Sequence, residues 1–199
     1  IELMGQSADA EGYRSWARQL SYLLDDLLDT QAYECLAETL AFVRDELNNT
    51  DREKTKIADI IIDQISSPEF VAKAVERILK VHGEAGAQGL DFLVQLGEPV
   101  VVEIMDQLST GETDINRKQL IASLDKFGIL AAREAVERLN DSRLNFQRMM
   151  IQIIRRLGDR PTAEHLRSLL EHADIGIRME ALGTLLRFKN NWGLIRLRE

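Results

Sequence analysis

Histidine is the side chain in this sequence best suited to bind a metal ion, and its three copies are poorly spaced for that purpose. His165 and His172 are the nearest pair, and on an α-helix their separation corresponds to about 10 Å along the axis. That distance is too long for both imidazoles to bind one ion. The His-x-x-x-His and Glu-x-x-His patterns of zinc hydrolases and di-iron bundles do not occur. We therefore expect no metal and no other cofactor, and we interpret His172 as a dipole partner at a helix C-terminus.

Two pairs of carboxylates share a helix face at i, i+4 spacing, namely Asp25/Asp29 and Glu34/Glu38. Such a pair could perform general acid–base catalysis if a pocket shifted the pKa of one member. No pocket-forming motif accompanies either pair, and solvated carboxylates are ordinary on an acidic helical protein. We therefore interpret both pairs as surface residues.

Cys35 is the single cysteine, so the chain has no internal disulfide. It lies beside Leu36 on the apolar side of a predicted helix, and we expect it to be buried as a small hydrophobic residue. No histidine or carboxylate that would activate a thiol can be assigned to it from spacing. A lone cysteine fits a reducing compartment, and we expect a cytoplasmic location.

The glycine-rich stretch 81–89 contains Gly83, Gly86 and Gly89. Its spacing does not match the dinucleotide-binding fingerprint, and no predicted strand precedes it. We expect it to end one helix and to let the next helix pack closely. The nucleophile-elbow motif G-x-S-x-G and the phosphate-loop motif do not occur either. The sequence therefore predicts no catalytic residue and a protein that is not an enzyme.

The elements that position these residues are predicted to be helices. Apolar residues make up 45% of the chain, prolines number only three, and no alternating β-branched runs with hairpin turns occur. No apolar stretch approaches the roughly 20 residues that a membrane span needs. We expect about 11 helices, at 13–29, 31–48, from 51, from 68, and at 86–96, 99–109, 114–127, 129–140, 144–157, 161–172 and 175–188.

Several helix starts carry capping signals. Thr50 followed by Glu53 predicts a capping box, and Ser67 before Pro68 predicts an N-cap followed by proline in the first turn. Asp114 and Asp174 are predicted N-caps of two later helices, and Pro99 and Pro161 stand at equivalent helix starts.

Apolar positions recur at intervals of 30 or 31 residues through the C-terminal half. A fixed period of this size is typical of a solenoid, in which each unit buries its apolar face against a neighbour. The recurring positions are Leu120/Met150/Ala181, Leu124/Ile154/Leu185, Phe127/Leu157/Phe188, Val101/Ala132/Ala163, Ile104/Ala135/Leu166 and Leu108/Leu139/Leu170.

The segment 174–188 resembles the first helix of a HEAT repeat, since Asp174, Arg178, Ala181 and Leu182 match the pattern D-x-x-x-R-x-x-A-L. The short period is similar to that of the phycobilisome-lyase-like HEAT proteins. The resemblance covers about 86–199. It implies an all-α fold, an α–α superhelix of antiparallel helix pairs, and a protein-binding scaffold whose partners lie on the concave surface.

On this basis we expect residues 1–83 to form helical hairpins that cap the solenoid, and residues 84–199 to form the repeats, within one continuous domain. The register projects onto Leu194 and Leu197, which we expect to pack on the preceding repeat as the start of an incomplete last helix. Because the chain begins with Ile1, we expect it to be a segment of a longer protein.

The net charge of −8 is unevenly distributed. Residues 1–100 carry a net charge of −10, whereas residues 101–199 carry +2. From 143 to 198 the chain has 11 basic and 5 acidic residues, which indicates either solvated helix faces or a mildly basic interaction surface. Candidate interaction residues in this stretch are Arg155, Arg156, Arg160, Arg167 and Trp192.

Three functions compete at this point. The leading hypothesis is a non-enzymatic scaffold that binds an unidentified protein partner. The HEAT-like resemblance also suggests a bilin-lyase-like enzyme or chaperone, or a nucleic-acid-binding protein. An isoelectric point near 5.0 argues against nucleic acid, whose binding depends on neutralising phosphates. The sequence indicates no small-molecule substrate.

Overall fold

A computed structural model of the chain describes residues 10–111 and 115–196, with the side chains at 10, 11, 13, 14, 16, 17, 21 and 190–196 outside that description. The structure is 82% helical and the described residues include no strand, so the predicted all-α class is confirmed. These residues form eleven α-helices and two 3₁₀ segments. None of the helices described combines the length and apolar character that crossing a membrane requires.

The α-helices are α1 Ala10–Asp29, α2 Tyr33–Glu46, α3 Arg52–Ile65, α4 Pro68–Ile78, α5 Gly83–Leu96, α6 Glu98–Thr110, α7 Arg117–Ser123, α8 Ile129–Glu137, α9 Leu144–Leu157, α10 Arg160–Glu164 and α11 Ile175–Arg196. The first 3₁₀ segment, Leu124–Lys126, follows α7, and the second, His165–Glu171, follows α10. The chain divides into two compact units, Ile1–Glu103 with Asp114–Gln119, and Ile104–Thr113 with Leu120–Glu199. The predicted boundary after residue 83 lies within the first unit.

Two of the predicted helix starts are confirmed in atomic detail. The Oγ atom of Ser67 accepts a hydrogen bond of 3.3 Å from the Phe70 amide, directly before Pro68. The Oδ1 atom of Asp174 accepts one of 2.9 Å from the Ile177 amide. Each side chain satisfies a backbone N–H that has no partner within its helix.

The predicted capping box of Thr50 and Glu53 is wrong, because Asp51 caps α3. The Asp51 carboxylate accepts a hydrogen bond of 2.9 Å from the Glu53 amide, and its own amide donates to the Asn49 side chain at 3.0 Å. A carboxylate at the last extended residue both accepts this bond and stabilises the positive end of the helix dipole. Thr50 lies one residue too early to do the same.

Two of the predicted long helices are instead wound partly as 3₁₀ helices. The helix expected at 114–127 contains α7 and the first 3₁₀ segment, and the predicted N-cap Asp114 lies outside the described residues. In the second 3₁₀ segment the buried residues are Leu166 and Leu169, three positions apart, as three residues per turn require. Leu170, which an α-helix would place on the face of Leu166, is consequently turned outward and is 37% exposed.

The last helix is also longer than predicted. The expected break after residue 188 is wrong, because α11 continues to Arg196. The sequence there contains asparagines and one glycine, which lower helix propensity without ending a helix as proline does. Leu197 and the side chain of Leu194 lie outside the described residues, so their packing stays a prediction.

In the first unit, α2 packs against α5 through Gly89. A Cβ atom at Gly89 would lie 2.7 Å from Ile78 Cγ2 and 3.1 Å from the Tyr33 ring. The close packing predicted for the glycine-rich stretch is therefore confirmed, although α5 begins at Gly83 and not at residue 86. The Arg44 guanidinium adds a hydrogen bond of 2.7 Å to the Gln95 carbonyl between the same two helices.

Tyr33, the buried tyrosine of this contact, makes the free energy of unfolding depend on pH in the alkaline range. Burial raises the pKa of the Tyr33 hydroxyl above its usual value of 10.0. Since the unfolded chain then releases this proton at a lower pH than the folded chain, we expect stability to be kept below pH 10 and lost as the pH rises above it. Tyr33→Phe should reduce that loss in urea titrations compared between pH 8 and pH 11. Tyr22→Phe, at an exposed position, is the matched control, and an equal effect of both substitutions would contradict the prediction.

The expectation that Cys35 is buried is wrong, because its side chain is exposed. The buried residues of α2 are Tyr33, Leu36, Leu40 and Val43, with Thr39 beside them. Cys35 lies one residue before this face and is thus rotated about 100° away from Leu36. Adjacency to a core residue in sequence does not place a helical residue on the same face.

In the second unit, consecutive helices pack as neighbours. α8 packs against α9, and α11 packs against α9, α10 and the second 3₁₀ segment. The Arg148 guanidinium on α9 donates a hydrogen bond of 3.1 Å to the Asp174 carboxylate that caps α11. The buried Gln147 side chain donates one of 2.7 Å to the Leu139 carbonyl. These contacts join residues about one repeat apart or less, the short-range pattern expected of stacked helix pairs.

Candidate protein-interaction surface

Some positions of the 31-residue register are less buried in the last segment of the chain than in the segments before it. Leu108 and Leu139 are 5% and 4% exposed, whereas their equivalent Leu170 is 37% exposed. Leu124 and Ile154 are buried, whereas Leu185 at the same register position is half-buried. At the third register position the pattern differs, since Phe127 is buried whereas Leu157 and Phe188 are both half-buried. At two register positions, Leu170 and Leu185, the last segment of the pattern is thus more exposed to solvent than the two before it.

One face of α11 carries a stripe of exposed apolar residues at 4-3-4 spacing, which we call the α11 stripe: Ile175, Met179, Leu182 and Leu186. Their exposed fractions range from 40% at Leu182 to 67% at Ile175. The opposite face of the helix is buried through Ile177, Ala181 and Thr184. A helix with apolar residues at this spacing on its solvent side is shaped to receive a second helix.

Beside this stripe lies a groove, here called the C-terminal groove, between α11 and the segment formed by α10 and the second 3₁₀ helix. Its apolar surface comprises Ala163, Leu170, Leu182, Leu185, Leu186 and Phe188. Its charged residues are Arg160, Glu164, Arg167 and Lys189. The groove thus combines a leucine-rich floor with three cations and one carboxylate.

The single carboxylate of the groove is held by its cationic neighbours. The Arg167 guanidinium hydrogen-bonds to Glu164, and Arg160 Nε lies 3.9 Å from Glu164 Oε1. The hydrogen bond from Arg167 is the main cause of a lowered Glu164 pKa, and the charges of Arg160 and Lys189 lower this pKa further. The groove residues together carry a net charge of +2.

The structure brings together only part of the predicted interaction set. Arg160 and Arg167 line the C-terminal groove, whereas Arg155 is exposed on α9 and does not line it. Arg156 lines a different depression, donates a hydrogen bond of 2.8 Å to the Ile121 carbonyl, and places its Nη2 atom 2.7 Å from Asp125 Oδ1. The side chain of Trp192 lies outside the described residues.

Several of the basic residues in the second unit are tied to carboxylates. Arg138 Nη1 lies 2.6 Å from Asp106 Oδ1, and Arg138 Nη2 lies 2.8 Å from Glu134 Oε1. Arg143 hydrogen-bonds to Asp141 and lowers the pKa of that carboxyl to about 2. Charges held in such pairs contribute little to an extended basic surface, so the excess of arginine after residue 143 does not by itself describe a nucleic-acid groove.

The carboxylates that could act as acid–base pairs lie at the surface of the protein. Asp25 Oδ1 lies 3.7 Å from Lys73 Nζ, and Asp29 pairs with Arg77, so the first carboxylate pair forms surface ion pairs between α1 and α4. Glu34 and Glu38 are exposed. In the described part of the chain, no three His, Cys, Asp or Glu side chains form a group that could hold a metal ion.

His172 lies at the C-terminal end of the second 3₁₀ segment, where the sequence places it. Its Nδ1 atom accepts a hydrogen bond of 3.0 Å from the Asp174 amide, and its carbonyl accepts one of 2.6 Å from Arg178. His172 helps to fix the turn that precedes α11.

Sequence reasoning overlooked the α11 stripe, although its 4-3-4 spacing could have revealed it. The same helix also carries the repeat-register residues Ala181, Leu185 and Phe188, so it is apolar over most of its circumference. A helix that is apolar over most of its circumference is predicted to be fully buried. Only the packing shows which of its faces remains open.

No protein-family model matches the chain, and no curated protein matches it. Two solved structures are similar, and both are described as engineered proteins of the Northeast Structural Genomics Consortium. The first is 16% identical with a TM-score of 0.33, and the match covers 92% of this chain and 55% of that chain. The second is 18% identical with a TM-score of 0.29, and the match covers 95% of this chain and 96% of that chain. The chain spans about half the length of the first structure, and neither similarity carries an argument about function.

Proposed function

We propose that this chain is a non-enzymatic protein–protein interaction module, built as a HEAT-like solenoid. The observation that supports the proposal most directly is the α11 stripe, next to the C-terminal groove. Contiguous exposed apolar residues on an otherwise polar surface mark interaction sites, because leaving them in water forgoes the free energy of burial. The repeat register supports the same function at Leu170 and Leu185, since the equivalent Leu139 and Ile154 are buried.

Leu182 is the residue through which the proposal is best tested, because it belongs to both the α11 stripe and the groove. In a selection from a displayed library of helical peptides, we expect the protein to enrich peptides with apolar residues at 3–4 spacing. Leu182→Asp should weaken the binding of these peptides roughly tenfold or more, since it places a charge in the apolar contact.

A matched control is offered by Leu130 on α8, which is 37% exposed against 40% for Leu182 and does not line the groove. Leu130→Asp should leave peptide binding unchanged, and circular dichroism should show equal helicity in both variants. A selection that enriches no peptide would contradict the proposal. Peptides that bind the Leu182→Asp variant as tightly as the wild type would contradict its location.

A further inference from the structure

We infer that the C-terminal groove takes an acidic amphipathic helix from a partner protein, an inference that rests on the proposed function and adds the chemistry of the partner. Two features lead to it: the spacing of the apolar residues on the α11 stripe, of which Leu182 and Leu186 also line the groove, and the sign of the groove's charges. Each constrains one property of the partner.

The apolar residues set the shape and length of the partner. From Ile175 to Leu186 the α11 stripe spans about 17 Å, or roughly three helical turns. Residues at 4-3-4 spacing stay on one face of a helix and pair with an equally spaced row on a second helix. The matching partner is therefore an amphipathic helix of at least about three turns, with leucine-like side chains toward the groove.

The charged residues of the groove determine the sign of the charge that the partner must carry. Arg160, Arg167 and Lys189 outnumber the single carboxylate Glu164, so the groove keeps a net positive charge even with Arg167 paired to Glu164. Carboxylates on the flanks of a docking helix would share the guanidinium groups with Glu164, through charge-assisted hydrogen bonds. Such pairs accelerate association and discriminate against partners of the wrong sign.

The same charges disfavour a symmetric pairing of two copies of this chain through their grooves. Two copies docked groove to groove would bring two surfaces of net positive charge together, and like charges across an interface are repulsive. A partner helix flanked by carboxylates meets no such repulsion. Self-association is therefore an outcome that the test must be able to detect.

The test uses two labelled helical peptides of about 18 residues with identical leucines at 3–4 spacing, one carrying glutamates on both flanks and the other glutamines. Fluorescence anisotropy measures both affinities. We expect the glutamate peptide to bind roughly tenfold more tightly at low salt, and this preference to shrink as salt screens the charges. A double substitution, Arg160→Gln with Arg167→Gln, should reduce the preference to about twofold or less.

The control pair, Arg133→Gln with Arg155→Gln, removes the same charge from exposed positions that do not line the groove and should keep the preference. If both peptides bind equally and Leu182→Asp weakens the binding of both, the inference of an acidic partner is wrong, while the proposed function stands. If neither peptide binds and the library selection is also empty, the proposed function fails as well. If analytical ultracentrifugation detects a dimer and Leu182→Asp abolishes it, the groove is occupied by a second copy of this chain and not by an acidic helix of another protein.

Discussion

Replacing Leu139 with alanine is expected to lower the free energy of unfolding by about 2–5 kcal/mol, the range for a buried leucine that leaves a cavity. Leu139 is 4% exposed, and its carbonyl accepts the hydrogen bond of the buried Gln147 side chain. The substitution removes three carbon atoms from a packed site, and the neighbouring side chains can move only partly into the space that is left. Urea denaturation followed by circular dichroism measures the loss.

Leu170→Ala is the matched comparison, because the same residue type stands at the same repeat position and is 37% exposed. There the 3₁₀ winding leaves the side chain partly in water, so its truncation creates little cavity. We expect a loss of about 1 kcal/mol. Equal losses at both positions would contradict the difference in burial between the two leucines.

Gly89→Val is expected to lower the free energy of unfolding by about 3 kcal/mol, at the upper end of the range for overpacked cores. A Cβ atom at this position would already lie 2.7 Å from Ile78 Cγ2 and 3.1 Å from the Tyr33 ring. Both neighbours are almost completely buried, so neither can move away without disturbing the contact between α2 and α5. Thermal and urea unfolding should both report the change.

Gly183→Ala on α11 is the opposing control. No atom lies within 4 Å of a Cβ placed there, and the residue is in the interior of a helix. Alanine should therefore raise the free energy of unfolding by about 0.5–1 kcal/mol, because it restricts the unfolded chain without meeting an obstacle. Stabilisation at Gly89, or destabilisation at Gly183, would be evidence against the packing described for the respective helix.

Much of the secondary structure could be predicted because its signals are local. Ser67, directly before a proline, and Asp174 each accept a hydrogen bond from a free amide three residues later, and the structure shows both as N-caps. The failure at Thr50 has a local cause too, since an aspartate one residue later is the better acceptor at the extended position. Which of two adjacent polar residues caps a helix depends on backbone dihedral angles, and the residue pattern does not specify these angles.

The candidate site was predictable only in fragments. Arg160 and Arg167 were chosen for their charge, and they meet in one groove because α10 and the second 3₁₀ segment present them on the same side. Arg155 and Arg156 carry the same charge on α9 but do not join them there. Charge counted along the chain does not reveal which side chains share a surface.

The sequence by itself determined that this protein is helical, where several helices begin, and that apolar positions recur about every 31 residues. These properties follow from hydrogen bonds and side-chain spacing within a few turns of one helix. Only the tertiary structure decided that Cys35 faces solvent, that Leu170 is turned outward by 3₁₀ winding, and that α11 leaves an apolar stripe uncovered. The physical reason is that burial depends on whether a neighbouring helix is present, and a residue pattern repeats in the same way with or without that neighbour.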